Sequence, residues 1–167
     1  MSPPVEAVTD ANVWIDLRHG GLIPAAFALD VTWAAPDIVV RHELRSPLGT
    51  GLLRRGLLEL TLSPAEISAA LALRRAYGGI SAADAMTLAL AESRQMILVT
   101  GDGPLRRAAK GQDVRHHGVL WVLDLLVSAQ IVGQRVAAEA LAQMKEQGGR
   151  FPQEEVKKRL EGWGHGP

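Results

Sequence analysis

The chain has 167 residues, of which 18 are basic and 18 acidic, so its formal net charge at pH 7 is zero. A nucleic-acid-binding protein that relied on overall charge would be basic, so any such binding has to come from a local patch. The absence of cysteine excludes disulfides, thiolate metal sites and a cysteine nucleophile. The length suits one domain. Because the start is not leader-like and the longest apolar run is short and interrupted, we expect a cytoplasmic protein without a membrane span.

The first third of the chain predicts strands followed by helical turns. Apolar residues lead up to Asp10, where the chain turns, and Gly20 stops the helical spacing that follows. The predicted segments are a strand at 5–9, a helix at 12–20, a short helix within 21–29, an extended stretch at 31–40 and a helical turn at 41–47.

The middle of the chain predicts two capped helices between two strands. Ser63 precedes Pro64 and Glu66, and Ser81 precedes Asp84 by three residues, which is the spacing of a capping box. The predicted segments are a loop or short helix at 49–56, a strand at 56–63, helices over 63–79 and 81–94, a strand at 95–100, and a turn with a short helix at 101–111.

The last third predicts a short edge strand near residues 113–118, followed by three helices at 119–132, 134–148 and 152–163. Because strands alternate with helices through the first two thirds, we expect an α/β fold with a central parallel sheet flanked by helices. We expect one α/β unit over residues 1–132 and a C-terminal helical extension, 133–167, packed on the same domain.

Four carboxylates lie at the ends of predicted elements. Asp10 follows the first strand, Glu43 the second and Asp102 the strand at 95–100, while Asp84 lies in the first turn of a helix. In an open parallel sheet, functional sites gather at the carboxyl ends of the strands, and helix N-termini there favour negative charge. We therefore expect the four side chains to converge on one pocket.

A cluster of four carboxylates needs a cation, because like charges otherwise drive protons onto the group. Mg²⁺ and Mn²⁺ take oxygen ligands, and such a site can activate water and neutralise a phosphodiester. Asn12 and Thr100 would support it from the rim. Taken singly, Asp84 also fits a plain helix cap, Asp102 a turn residue and Glu43 a solvated side chain.

Four segments in order, "VTDANVWIDL", "VVRHEL", "ISAADAMTLALAES" and "ILVTGDGPLRRAA", resemble the motifs of the PIN-domain ribonucleases, which include the VapC toxins of toxin–antitoxin pairs. The resemblance covers about residues 8 to 110 and implies a Rossmann-like sheet and Mg²⁺- or Mn²⁺-dependent cleavage of RNA. It assigns the catalytic and metal-binding roles to Asp10, Glu43, Asp84 and Asp102, and a supporting role to Asn12 and Thr100.

The resemblance further implies a homodimer and a small antitoxin protein as partners. The short toxins of the family usually end soon after the last strand, whereas three more helices follow here, so the toxin role is less directly implied than the chemistry. The alternatives are a nuclease that processes RNA without being a toxin, and a catalytically silent PIN module that binds RNA or protein.

Other features have simpler interpretations. His116 and His117 are neighbours on a predicted strand, where side chains face opposite ways, so they are not expected to share a metal. The tryptophans are expected in the core or an interface, and Asp16 and Asp124 in solvent or a salt bridge, with Asp16 able to reach the pocket rim. Arg106 is the best candidate for a phosphate contact. A phosphatase of the haloacid dehalogenase type would need an acid at the position of Asn12.

Overall fold

The computed structural model describes residues 2–164 and builds them around one parallel sheet. Its five strands are β1 (Val5–Thr9), β2 (Val31–Pro36), β3 (Leu58–Leu60), β4 (Ile97–Val99) and β5 (His116–His117). Their order is β3-β2-β1-β4-β5, and every neighbouring pair is parallel. The chain thus moves outward from β1 in one direction and then in the other, which places a topological switch point between β1 and β4.

Helices flank this sheet, as the predicted α/β class requires, and the class is confirmed. Those of residues 2–164 are α1 (Ala11–His19), α2 (Ile23–Ala26), α3 (Leu48–Arg55), α4 (Pro64–Ala76), α5 (Ala82–Ser93), α6 (Gly103–Gly111), α7 (Val119–Ser128), α8 (Gln134–Glu146) and α9 (Gln153–Gly162). None of the described helices is long and apolar enough to cross a membrane.

The two capping boxes predicted from the sequence are confirmed. The Ser63 hydroxyl accepts from the Glu66 amide at the start of α4, and the Ser81 hydroxyl accepts from the Asp84 amide at the start of α5. Each acidic side chain returns a bond by accepting from the amide of its serine, so two N–H groups that the helix leaves free are satisfied at each end.

The segment after β2 differs from its prediction. The extended stretch expected at 31–40 ends at Pro36, and the chain then turns into a π-helical segment, Val39–Glu43. The physical reason lies in the sheet, because β3 has only three residues and its last pairing is Leu60 with Pro36. Beyond that point no ladder partner remains, and Val39 and Val40 are buried by a helical turn instead. Glu43 therefore ends a turn rather than directly following a strand.

The core has two layers, one on each face of the sheet. In one layer Trp14 stacks on Phe27 with ring centroids 5.2 Å apart and meets the edge of Trp33 at 5.5 Å. The C-terminal helices belong to this layer, where Leu141 and Met144 of α8 are buried with α1. The predicted boundary at residue 132 therefore separates two parts of the chain that share one continuous core.

An ion pair between a buried glutamate and a partly exposed arginine fixes α4 against the end of α5, the helix that carries Asp84. Arg94, just after α5, donates to both carboxylate oxygens of Glu66 at 2.8 and 2.9 Å, and Ser93 donates to the same carboxylate at 2.6 Å. These bonds, that of Arg94 foremost, hold the pKa of Glu66 well below its usual range. Hydrogen-bonded charges of this kind stay ionised although they are buried.

Candidate active site

Asp10 is a buried carboxylate between the first strand and the first helix. Its side chain is 5% exposed, and it caps α1 by accepting from the Val13 amide at 3.1 Å. The second carboxylate oxygen accepts a hydrogen bond from the Thr100 hydroxyl. Sheet register explains this contact. The last pair between β1 and β4 is Thr9 with Val99, so Asp10 and Thr100, which follow these two residues, leave the sheet side by side.

Thr100 connects Asp10 to Asp102. The Thr100 hydroxyl oxygen also accepts from the Asp102 amide at 3.1 Å, and the Asp102 carboxylate caps α6 by accepting from the Leu105 amide at 2.9 Å. One buried threonine thus links the carboxylate of Asp10 to the backbone of Asp102, and both acidic residues cap helix N-termini. The positive end of each helix lowers the cost of keeping negative charge at this edge of the sheet.

Asp84 is related to Asp10 through its charge rather than through a hydrogen bond, and Glu43 is related in the same way to Asp84. Asp84 is half-buried in the first turn of α5, with one oxygen accepting from the Ser81 amide at 2.9 Å. Its charge raises the pKa of Asp10, and it also raises the pKa of Glu43. The charge of Asp84 therefore acts on both Asp10 and Glu43. Its role as a helix cap is compatible with a role in the site.

Among the carboxylates of this site, Asp10 has the largest pKa shift. Burial raises the pKa of Asp10 to about 6, against the opposing effect of the bonds from Thr100 and Val13, and the charges of Asp84 and Asp102 raise it further. For Glu43, burial is the main cause of a raised pKa, and Asp84 adds to it. Strongly shifted carboxylates that share a field in this way are typical of functional sites.

The donor set suits a hard divalent cation. Within residues 2–164, no three acidic or histidine side chains lie close enough to form a complete metal cluster by themselves. Mg²⁺ does not need one, because it usually keeps several waters and is held by one or two carboxylates together with substrate phosphate. Asp10 and Asp102 would supply such carboxylates, and a cation there would offset the repulsion that raises the pKa of Asp10.

Two connected grooves open beside Asp102. The first, which we call the acidic groove, has a volume of about 490 Å³ and is lined by Asn12, Asp16, Asp102 and Arg150, among others. The second, which we call the aromatic groove, has a volume of about 550 Å³; it shares Asp16 and Arg150 with the first and adds Arg106. Asn12 is exposed at the rim, whereas Asp10 lies beneath it.

The structure thus brings some predicted residues together and leaves others apart. Asp10, Thr100 and Asp102 are linked by hydrogen bonds. Asp10, Glu43 and Asp84 lie outside the lining of both grooves. Asp84 is related to Asp10 by charge, whereas Glu43, which is exposed, is related by charge only to Asp84. Thr100 is fully buried and orients its neighbours, so it lies behind the site rather than at its rim.

Asp16, which the sequence predicted could reach the pocket rim, is half-buried and borders both grooves, and burial raises its pKa. Arg150, which also borders both grooves, was not among the sequence candidates. Arg150 comes from the loop between α8 and α9, and nothing in the local sequence marked it. His117 stacks on Trp121, and a ring nitrogen of His116 lies 2.9 Å from the Val114 carbonyl oxygen.

The raised pKa of Asp10 predicts a pH-dependent effect of Asp10→Asn. The folded state binds the Asp10 proton more tightly than the unfolded chain does. Protonated Asp10 therefore adds to the free energy of unfolding below pH 3.8, and this contribution is lost as pH rises through about 6. Because asparagine does not titrate, Asp10→Asn does not suffer this loss of stability. Its free energy of unfolding, relative to wild type, should rise by as much as about 3 kcal/mol between about pH 4 and about pH 8.

Denaturant unfolding in EDTA measures this difference. Asp113→Asn is the matched control, because Asp113 is exposed and its φ of 56° suits asparagine. The control should show a nearly constant difference from wild type. A difference for Asp10→Asn that is equally constant with pH would contradict the assignment.

The comparisons with known proteins agree with this geometry. No curated protein matches the sequence significantly. A family model for the PIN domain, DUF3368, matches residues 6–165, which includes the C-terminal helices. PIN domains are generally nucleases that use divalent metal ions. Since the match spans nearly the whole length, the chain belongs to the PIN-domain family.

Proposed function

We propose that the protein is an endoribonuclease that hydrolyses RNA phosphodiester bonds with Mg²⁺ or Mn²⁺. The observation that carries the proposal is the coupling of buried Asp10 to Asp84 and Asp102 at the switch point of the sheet in a PIN-domain chain. Such a site concentrates negative charge where a cation and a phosphate would meet.

Each side chain has a role in this proposal. Asp10 and Asp102 hold the cation, which when bound would polarise a water and offset charge on the phosphate. The Thr100 hydroxyl orients the Asp10 carboxylate by donating to it, and it holds the backbone of Asp102 by accepting from the Asp102 amide. Asp84 adds negative charge, and Glu43, whose pKa is raised by burial and by the charge of Asp84, would serve as a proton acceptor.

Two residues at the rim would meet the substrate. Asn12 is exposed on the acidic groove and offers an amide to a phosphate oxygen. Arg106 lies on the aromatic groove and donates to the Thr100 carbonyl at 3.3 Å, which keeps its guanidinium beside the site. A silent PIN module that only binds RNA or protein is the alternative. The presence of all four carboxylates and the raised pKa of Asp10 favour the enzyme, because a module that only binds RNA or protein does not need them.

Cleavage of RNA by the purified protein tests the proposal. We expect cleavage with Mg²⁺ or Mn²⁺, none in EDTA, and a loss of at least about 10²-fold in Asp10→Asn, since a charge that stabilises the transition state is removed. Asp113→Asn should cleave as wild type does. Cleavage that persists undiminished in EDTA and in Asp10→Asn would show that the activity comes from elsewhere.

A toxin role is the finer part of the proposal. The acidic groove suits a partner segment that directs an arginine at Asp102 and thereby replaces the cation's charge. Expression of the protein alone in a bacterial host should arrest growth, Asp10→Asn should not, and co-expression of a small neighbouring reading frame should relieve the arrest. An active nuclease that causes no arrest would instead be an RNA-processing enzyme.

The proposed homodimer has a candidate surface on α4. Ile67 and Leu71 lie one turn apart on this helix and are 41% and 53% exposed, although both are large and apolar. A two-fold pair could bury this face against itself. We expect a dimer mass by light scattering at micromolar concentration and a shift toward monomer in Leu71→Glu. A monomer mass for the wild-type protein would refute the dimer.

A further inference from the structure

Apart from Arg106, the residues of the aromatic groove have no part in the chemistry described so far. It is lined by side chains from two distant parts of the chain: Arg106, His117 and Trp121 on one side, and Arg150, Phe151 and Arg159 on the other. It runs into the acidic groove, because Gly101 and Gly103 line both, and Asp102 lies between these two glycines. Its volume of about 550 Å³ lies within the range of small-ligand sites.

One wall of the groove is aromatic. His117 of β5 and Trp121 of α7 are stacked, with ring centroids 4.7 Å apart and planes 8° from parallel, and both are half-buried. Phe151, also half-buried, lines the groove from the loop before α9. Burial lowers the pKa of His117, and Arg115, His116 and Arg106 add to the effect, so its ring is neutral at neutral pH. Flat rings of this kind are the usual partners of an unstacked base.

The groove also holds cations that no carboxylate satisfies. Within the part of the chain that the structure describes, neither Arg106 nor Arg150 forms a salt bridge. Gly118 makes room for Arg106, since a Cβ at this glycine would lie 2.9 Å from the guanidinium. Unpaired guanidinium groups beside flat rings suit a nucleotide, which joins a negative phosphate to an aromatic base.

Arg159, unlike Arg106 and Arg150, is paired with carboxylates. Its guanidinium is bonded to Asp124 of α7 at 2.7 and 2.9 Å and to Glu155 of α9 at 2.9 Å. This network ties the last helix to α7 and so positions the loop that carries Arg150 and Phe151. The C-terminal helices therefore build one side of the groove.

We propose that the aromatic groove is a nucleotide subsite that binds an unpaired base of single-stranded RNA. The base stacks against the wall formed by His117, Trp121 and Phe151, and Arg106 and Arg150 contact the adjoining phosphates. This arrangement rests on the proposed nuclease function, and it places the next phosphodiester beside Asp102. A base paired in a duplex cannot enter such a groove without leaving its stack, so the subsite selects single strands.

Binding without cleavage tests the subsite. The probe is a fluorescent single-stranded RNA of about eight nucleotides, bound in EDTA and followed by anisotropy, with the same strand in a duplex as comparison. Trp121→Leu should weaken single-strand binding by about 5- to 100-fold, because a stacking partner is lost. Arg150→Gln, at an exposed position, should weaken it by removing a phosphate contact. The control Arg135→Gln, on the exposed face of α8, should bind as wild type does.

The outcomes separate the subsite from the nuclease function. Weaker single-strand binding in Trp121→Leu and Arg150→Gln supports the subsite. If the wild-type protein cleaves no RNA with any metal, that result contradicts the proposed nuclease function but leaves the subsite standing. Unchanged binding in both variants, or a duplex bound as tightly as the single strand, overturns the subsite even if wild type cleaves RNA. Arg150→Gln keeps the test valid if Trp121→Leu fails to fold.

Discussion

The structure depends on how Asp10 is kept buried. An isolated carboxylate in the core would cost several kcal/mol, so the fold has to supply donors at the point where β1 ends. It does so from two directions, with the Val13 amide at the start of α1 and the Thr100 hydroxyl at the end of β4. This compensation is incomplete, because the pKa of Asp10 is still raised to about 6.

The incomplete compensation follows from topology. The strand order places β1 beside β4 at the point where the chain reverses its direction across the sheet, and the N-termini of α1 and α6 open there. Asp102 and Asp84 arrive at the same edge and add their charge to that of Asp10. Replacing one of these acids with an apolar residue would remove a charge that raises the pKa of Asp10, so the arrangement does not favour stability; it is consistent with the cation site proposed above.

The C-terminal helices are as much a part of the site as of the core. Leu141, Met144 and Val156 are buried in the same hydrophobic layer as α1. The loop between α8 and α9 brings Arg150 and Phe151 to the grooves beside Asp102. The family match, which continues through residue 165, is consistent with helices that are integral to the domain rather than added to it.

The amino-acid sequence by itself determined the local parts of this protein. Alternating strands and helices, the two capping boxes and the carboxylates after β1 and β4 are short-range patterns, and each depends on residues only a few positions apart. Tertiary structure alone decided the rest. The length of β3 ended β2 early and moved Glu43 onto a π-helical turn, and the docking of α8 and α9 brought Arg150 to Asp102. These outcomes depend on packing between segments far apart in the chain, and no local pattern encodes them.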